Sequence, residues 1–458
     1  MMKKVLALCL LGCAPLAAQQ IPAPTALPGD IFYIKQTWPV GGTGDNLSYM
    51  TLDPSRLQLF LAYRHSVTVE DVKSGTAAGK ISGTNGGFGI ALDNTGEFGY
   101  ISDGKLNQID VFDRRSLEVV GIIPTAFNPT AVIFEPASGL VFAVCRVPGS
   151  GEDGAAEMAR NPWLRTRDPV SPSQTNTIRG EFGSRRPHAR PLTEEERKKE
   201  ESKSIITVID ADSWRAIGDI QLPYHVTMAQ TAGDGQVYFV IPEQAEIARI
   251  DTEALRERLR REPPSNRESE DPTPKEMQLR AGRPLELRSD RLRDAVALVD
   301  WSDGRNVVED GVNQVLFLSA GQCRRPQALA VDQRHLRLFV GCPDMKMAVL
   351  DADTGKLISS LPTGPGTDSL AFDPDHGLIY ASNSGGNGTL TIIRQYVTDS
   401  YAVIQNLPTN PWARTLSVDP VTGIVYLVTL ATESTTLERI AQPVNREQQD
   451  YQILVIGH

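Results

Sequence analysis

The chain is poor in the residue patterns that announce covalent or metal chemistry. Its 458 residues include five cysteines and six histidines. Neither type forms a recognisable ligand set: no Cys-x-x-Cys-His haem attachment, zinc-type cysteine pair or His-Glu-x-x-His helix occurs. A Gly-x-Ser-x-Gly elbow and a phosphate loop are also missing, which removes the sequence-readable serine-hydrolase and nucleotide sites. Positive charge is in deficit. A formal net charge of -10 argues against nucleic acid as a general partner, because a surface that follows a phosphate backbone should be basic. Long apolar runs are lacking too. The one candidate, residues 5–11, falls short of the roughly twenty residues a spanning helix needs. No cofactor, no metal and no membrane span are therefore expected.

The apolar run belongs to another device. Lys3-Lys4, residues 5–11 and the small residues Ala14, Ala17 and Ala18 reproduce the three regions of a secretory signal. Residues 1–18 are expected to be removed and 19–30 to form a linker, placing the protein outside the cytoplasm, periplasmic or secreted. Two processing sites compete. Cleavage after Ala18 is favoured over a lipoprotein anchor at Cys13, because Pro15 breaks the helix just ahead of the first site and Leu11 is an indifferent lipobox residue. Cys9 and Cys13 then leave with the signal, and Cys145, Cys323 and Cys342 remain. Cys145, preceded by Phe142-Ala143-Val144, reads as a buried strand residue rather than a nucleophile.

Repetition fills most of the rest. Short apolar runs end in a carboxylate, usually followed by a turn residue: Asp53-Pro54, Asp93-Asn94, Glu135-Pro136, Asp332, Asp373-Pro374 and Asp419-Pro420. Such a carboxylate can cap a tight turn with its own side chain. A second strand follows, as at 59–63, 140–144, 237–240, 378–381 and 424–427. A third ends in another turn, as at Asp113 and Asp210, and a fourth runs into Pro-Thr, as at Pro124-Thr125 and Pro408-Thr409. Four short strands per unit of about forty residues describe a propeller blade rather than a helical solenoid. The units begin near Asn46, Gly87, Pro129, His225, Pro326, Thr367 and Pro411. The expected fold is all-β, a seven-bladed β-propeller of four-stranded antiparallel blades over residues 31–458. The last unit lacks a fourth strand, and residues 32–40 carry the matching pattern. An N-terminal strand is thus expected to complete the last blade and close the ring, leaving no open edge.

Leu338-Phe339-Val340, Val349-Leu350-Asp351 with Thr354-Gly355, and the exit Leu361-Pro362-Thr363-Gly364 resemble the YncE-like, YVTN-type β-propeller proteins of bacterial envelopes. The resemblance covers most of the chain after Phe32 except two insertions. It implies the fold, and only weakly a function, since that family is defined largely by its repeat. Proteins of this kind often carry cysteines at the positions of Cys323, just before the first strand of the fifth unit, and Cys342, at the end of its second. The resemblance therefore implies a Cys323–Cys342 disulfide, for which an oxidising compartment is suitable.

The insertions span 148–203 in the third unit and 253–313 in the fourth. The first contains Arg185-Arg186-Pro187-His188 and a Thr193/Glu196 capping box that predicts a short exposed helix. It reads mainly as a solvated loop. The second opens with a helix from Glu253 to Arg260, ended by Pro263-Pro264, in which Leu255 and Leu259 are spaced to pack on the ring. Apolar runs at 285–287, 295–299 and 315–318 predict further ordered structure leading back into the fourth strand of the ring.

Chemistry is expected where the connections between blades crowd one mouth of the channel. These carry Asp45, Asn46, Phe88, Asn128, His225, Arg324, Arg325, Asp368 and Arg414. Asp45, Asn46, His225, Arg324, Asp368 and Arg414 are the candidate ligand-binding set, suited to a small anionic ligand. The competing reading has them capping turns and pairing across loops. His65 could reach the same mouth, whereas His335 and His376 occupy turns elsewhere. The expected function is a monomeric, non-catalytic binding module whose partner is a small anion or an envelope protein. The alternative is a propeller enzyme of lactonase or lyase type, with His225 as base or ligand and Asp45 and Asp368 beside it. Fold alone licenses no activity.

Overall fold

Asp53 ends a strand, and its Oδ1 accepts the backbone N–H groups of Ser55 and Arg56 at 3.0 and 3.1 Å. Glu135 does the same for Ala137 and Ser138, and Asp373 for Asp375 and His376. Asp93, Asp332 and Asp419 each hold one such N–H. Every one of these carboxylates is buried. The turns close on residues of positive φ, glycine at Gly96, Gly139, Gly377 and Gly423 and leucine at Leu57 and Leu336, a region that glycine enters without steric cost. The recurrent carboxylate in the sequence is thus the residue that reverses the chain.

These turns connect seven sheets in a computed structural model of the chain, which describes residues 31–40, 47–84, 87–146, 203–222, 224–261, 273–282, 297–300, 315–431 and 450–458. The seven antiparallel blades occupy 47–81, 87–124, 129–222, 228–319, 328–362, 367–408 and 415–457. Six hold their strands in simple up-and-down order, and the first strands touch one another in sequence around the channel, Leu47–Asp53 also meeting Thr415–Val418. Tyr33–Val40 is the outermost strand of the last sheet, paired antiparallel with Tyr451–Gly457 from Tyr33↔Gly457 to Val40↔Tyr451. Trp38 of that strand packs on Gly75 of the first blade, where φ is +67° and the indole leaves no room for a side chain.

The core lies between blades. Phe60, Val67 and Val69 of the first interlock with Ile90, Ile101 and Phe112 of the second, and the Phe60 and Phe112 rings stand 5.4 Å apart. Polar links reinforce the face that carries the carboxylate turns. Arg114 of the second blade donates through Nε to Asp53 of the first at 2.9 Å and through Nη1 to the Asp93 carbonyl at 3.1 Å. Arg337 of the fifth blade meets Asp399 of the sixth at 2.7 Å.

The second insertion departs from expectation in detail. Helix α1 (Thr252–Arg261) forms, and Leu255 and Leu259 enter the core beside Leu140 and Ile250 as their spacing requires. Helix α2 (Pro274–Ala281) was not anticipated, although Thr273 and Glu276 form a capping box and proline opens the helix. Its buried Gln278 accepts the Ile122 N–H at 2.7 Å and donates to the Ile122 carbonyl at 3.1 Å. The side-chain amide occupies the place of a neighbouring strand on the outer edge of the second blade. Ala297–Asp300 adds a parallel fifth strand to the third blade, beside Arg215–Leu222. The 295–299 run therefore goes to the preceding blade, and Val315–Ser319 alone supplies the fourth strand of the fourth blade. The leader, the 19–30 linker, residues 148–202 and the Thr193/Glu196 helix lie outside the described residues.

Burial alone would raise the Asp53 carboxyl, but the Ser55 hydroxyl, Arg114 and the Arg56 N–H outweigh it and hold it below the usual range. Replacing Arg114 with methionine removes the nearer and more buried of the two cations on Asp53, Arg56 remaining at 3.5 Å, and is expected to destabilise the fold by about 2–4 kcal/mol in urea unfolding at pH 7, somewhat less than a fully broken buried pair. A carboxyl lowered in the folded state stabilises above its unfolded value, near 3.9, and this contribution disappears as pH falls through the folded value. The Arg114→Met deficit should accordingly shrink in acid. A deficit independent of pH would contradict this account.

Candidate functional site

Strand direction alternates within a blade, so the connections between blades open on the same face as the turns from second to third strands. On this face a cavity of about 590 Å³ lies among the ends of the inner strands, within the range of roughly 300–1,000 Å³ that small-molecule sites occupy. Five blades contribute. Leu47 and Ser48 come from the first, Phe88 from the second, Thr130 and Arg146 from the third, and His225, Val226 and Thr227 from the connection into the fourth. Trp412, Arg414, Thr415, Val428 and Tyr451 come from the seventh blade and the connection leading into it.

Its electrostatics are one-sided, with two guanidiniums and an imidazole and no carboxylate among the lining residues. Arg146 ends the strand Leu140–Arg146. Its Nε is buried and has no hydrogen-bond partner among the described residues, a state that generally costs about 1–3 kcal/mol or more for a charged group. Arg414 lies over Trp412, its guanidinium carbon 4.1 Å from the ring centroid, a favourable cation–π arrangement. Trp412 has φ +66°, a conformation uncommon for so bulky a residue. Burial and then the charge of Arg146 lower the His225 pKa from its ordinary value, with Glu243 partly opposing them. The imidazole is neutral at pH 7, with one donor and one acceptor nitrogen.

Of the residues singled out by sequence, His225, Arg414 and Phe88 meet in this cavity. Asp368 does not line it but stands beside Arg414, Oδ2 to Nε 3.8 Å, an exposed pairing worth under about 1 kcal/mol. Arg324 is exposed on the connection carrying Cys323 and does not line the cavity. Asn128 serves a turn, its N–H donating to Asn107 Oδ1 at 2.7 Å. Asp45 and Asn46 lie outside the described residues. His335 and His376 bond to Asp332 and Asp373, both at 2.7 Å, on the turns of the opposite face. Cys323 and Cys342 form a disulfide with Cα atoms 5.4 Å apart. Cys145 is buried, and its thiol is pushed up to about 12 by burial and then by Asp219, so it carries no thiolate near neutral pH.

Arg146 and Tyr451 lie outside the connections between blades, to which the sequence pattern points. Both flank turns from second to third strands, which share the face. The available signal was a lone arginine ending the apolar run 140–145. Among the described residues no three His, Cys, Asp or Glu side chains converge as a metal site would require.

No family model matches the chain, and no curated protein matches it. Solved structures match in fold. The WD40 repeats of RRP9 superpose with a TM-score of 0.56 at 8% identity, covering 95% of this chain and 100% of that one. A chain of the mitotic checkpoint complex gives 0.54 at 11%, covering 98% of each. U3-55K gives 0.54 at 8%, covering 92% of this chain and 98% of its own. At such identities the likeness establishes the β-propeller and nothing more.

A histidine lowered in the folded state stays neutral while the unfolded chain takes up a proton, so stability falls as pH drops from about 6.5 through the folded value. His225→Asn should remove that component. Thermal unfolding of both proteins between pH 7.5 and 5 tests it, and parallel curves would contradict the assignment.

Proposed function

We propose that the protein is an extracytoplasmic, non-catalytic binding module of the YncE-like kind that engages its partner through the cavity face. The observation that carries this reading is a concave, cationic and partly aromatic mouth on a chain whose net charge is negative. Its partner is an anionic small molecule or an envelope protein presenting an acidic group. The secretory pattern of residues 1–18 and the Cys323–Cys342 disulfide support a location outside the cytoplasm, where such bonds persist. One structure of similar fold comes from a complex, the mitotic checkpoint complex, in keeping with a scaffold that binds.

The lactonase or lyase alternative calls for a carboxylate beside His225. Asp368 faces Arg414 instead, Glu243 acts on His225 without lining the cavity, and no carboxylate lines it among the described residues.

Charge reversal on the two faces tests the reading. Arg414→Glu alters the cavity face, and Arg334→Glu alters the opposite face, where Arg334 pairs with the exposed Asp375. Each protein is incubated with an envelope extract, and retained molecules are quantified by native mass spectrometry and cross-linking. Binding should fall at least tenfold for Arg414→Glu and remain for Arg334→Glu. Equal effects of the two, or none from either, would overturn the proposal.

A further inference from the structure

Three features of the cavity narrow what it takes. The first is Arg146, whose buried Nε has no hydrogen-bond partner among the described residues. A guanidinium binds best as a planar fork to two oxygens of one acid group, and here the fork stands at the cavity with one of its donors unmet. The second is the absence of a neutralising carboxylate. The nearest compensating charges act at one remove, Asp368 on Arg414 at 3.8 Å and Glu243 on His225, which leaves Arg146 without an ion-pair partner among the described residues. The third is the rest of the wall. Phe88, Val226 and Val428 are apolar, and Trp412 stands at the side beneath the Arg414 guanidinium. This lining combines a charged anchor with a hydrophobic surface.

Resting on the reading of this face as the binding face, we infer that the cavity holds a small organic anion. Its acid group, a carboxylate or phosphate monoester, bonds to Arg146, Arg414 adds positive charge from the same lining, and its apolar body lies against Phe88, Val226 and Val428. The volume suits a molecule of drug-like size, not a folded partner.

Binding is coupled to protons. The charged groups that act on His225 are Arg146 and Glu243, and Arg414 and Tyr451 share the cavity lining with it. In the empty cavity the arginine charge disfavours imidazolium. An anion seated beside Arg146 removes that penalty, so the occupied site takes up a proton on His225 and affinity rises as pH falls toward 6.

Titration calorimetry of the mature chain tests this with phenylphosphate and phenylacetate as the two acids and benzyl alcohol as the uncharged body. At least one acid should bind at one site, at least tenfold more tightly than the alcohol. Arg414→Met, on an exposed side chain, should weaken it several-fold. Arg146→Met should weaken it about 10- to 100-fold, the loss of a charge-assisted hydrogen bond, with native near-ultraviolet circular dichroism confirming the fold. Arg146→Lys, which keeps the charge but not the fork, should fall between. The increase in affinity toward acid pH should vanish in His225→Asn.

Equal binding of acid and alcohol, or indifference to both arginine substitutions, would overturn the inference. So would binding of hexaglutamate with neither acid bound, which would assign the cavity to an acidic peptide. If neither acid binds while Arg414→Glu still abolishes capture from envelope extract, this inference falls and the proposed function stands. If that charge reversal is also silent, both fall.

Discussion

Each blade is a sheet with two apolar faces, and the arrangement depends on covering both. Leu59, Phe60 and Leu61 of the first blade are all fully buried. Because successive strand residues point to opposite faces, Phe60 belongs to one interface and its two neighbours to the other. Phe60 meets the second blade, while Leu59 and Leu61 meet Trp38, Tyr426 and Ile453 of the last. A sheet buried on both sides needs two neighbours, and a ring gives every sheet two. The cavity follows from the same constraint, since tilted sheets packed radially bring their first strands together around an axis but cannot fill it.

The faces of the ring then divide the charge between them. On one, carboxylates are committed to backbone N–H groups and to arginines from adjacent blades, as with Asp53, Arg114 and Asp93. Their negative charge is neutralised locally and stabilises the scaffold. On the other, Arg146 and Arg414 line the cavity, with Asp368 beside Arg414 as its exposed partner. An acidic protein can thus present a cationic mouth, because net charge counts residues and the local field depends on where each one's partner is.

The architecture was readable because the repeat has a mechanical cause. A turn that needs a carboxylate at Asp53 needs one again at Asp93, Glu135, Asp332, Asp373 and Asp419, so the pattern marks blade after blade. Helix α1 was readable from the spacing of Leu255 and Leu259. Helix α2 was not, since Thr273 and Glu276 signal a helix start but its only deeply buried side chains are Pro274 and a polar one, Gln278. Its docking is set by hydrogen bonds to Ile122, which leave no apolar periodicity. The fifth strand, Ala297–Asp300, was ambiguous for a related reason: an apolar run does not state which sheet it joins. Of the site, His225 and Arg414 were legible from their place before a first strand. Arg146 was hidden because its importance lies in what it fails to contact, a property of the folded molecule alone.

The pairing of Tyr33–Val40 with Tyr451–Gly457 has a consequence in time. The first of these segments ends at Val40 and its partner begins at Tyr451, so it emerges from the ribosome about 410 residues earlier. Until that partner is made the outer strand of the blade has nothing to pair with, and until the sixth blade is made Phe32 lacks the Leu378 and Tyr380 side chains that cover it. The nascent chain therefore carries an unpaired strand while the later blades are still being made, the situation in which open edges invite aggregation. Lys35 and Gln36, pointing outward from that strand, supply some of the polarity that keeps a waiting edge soluble.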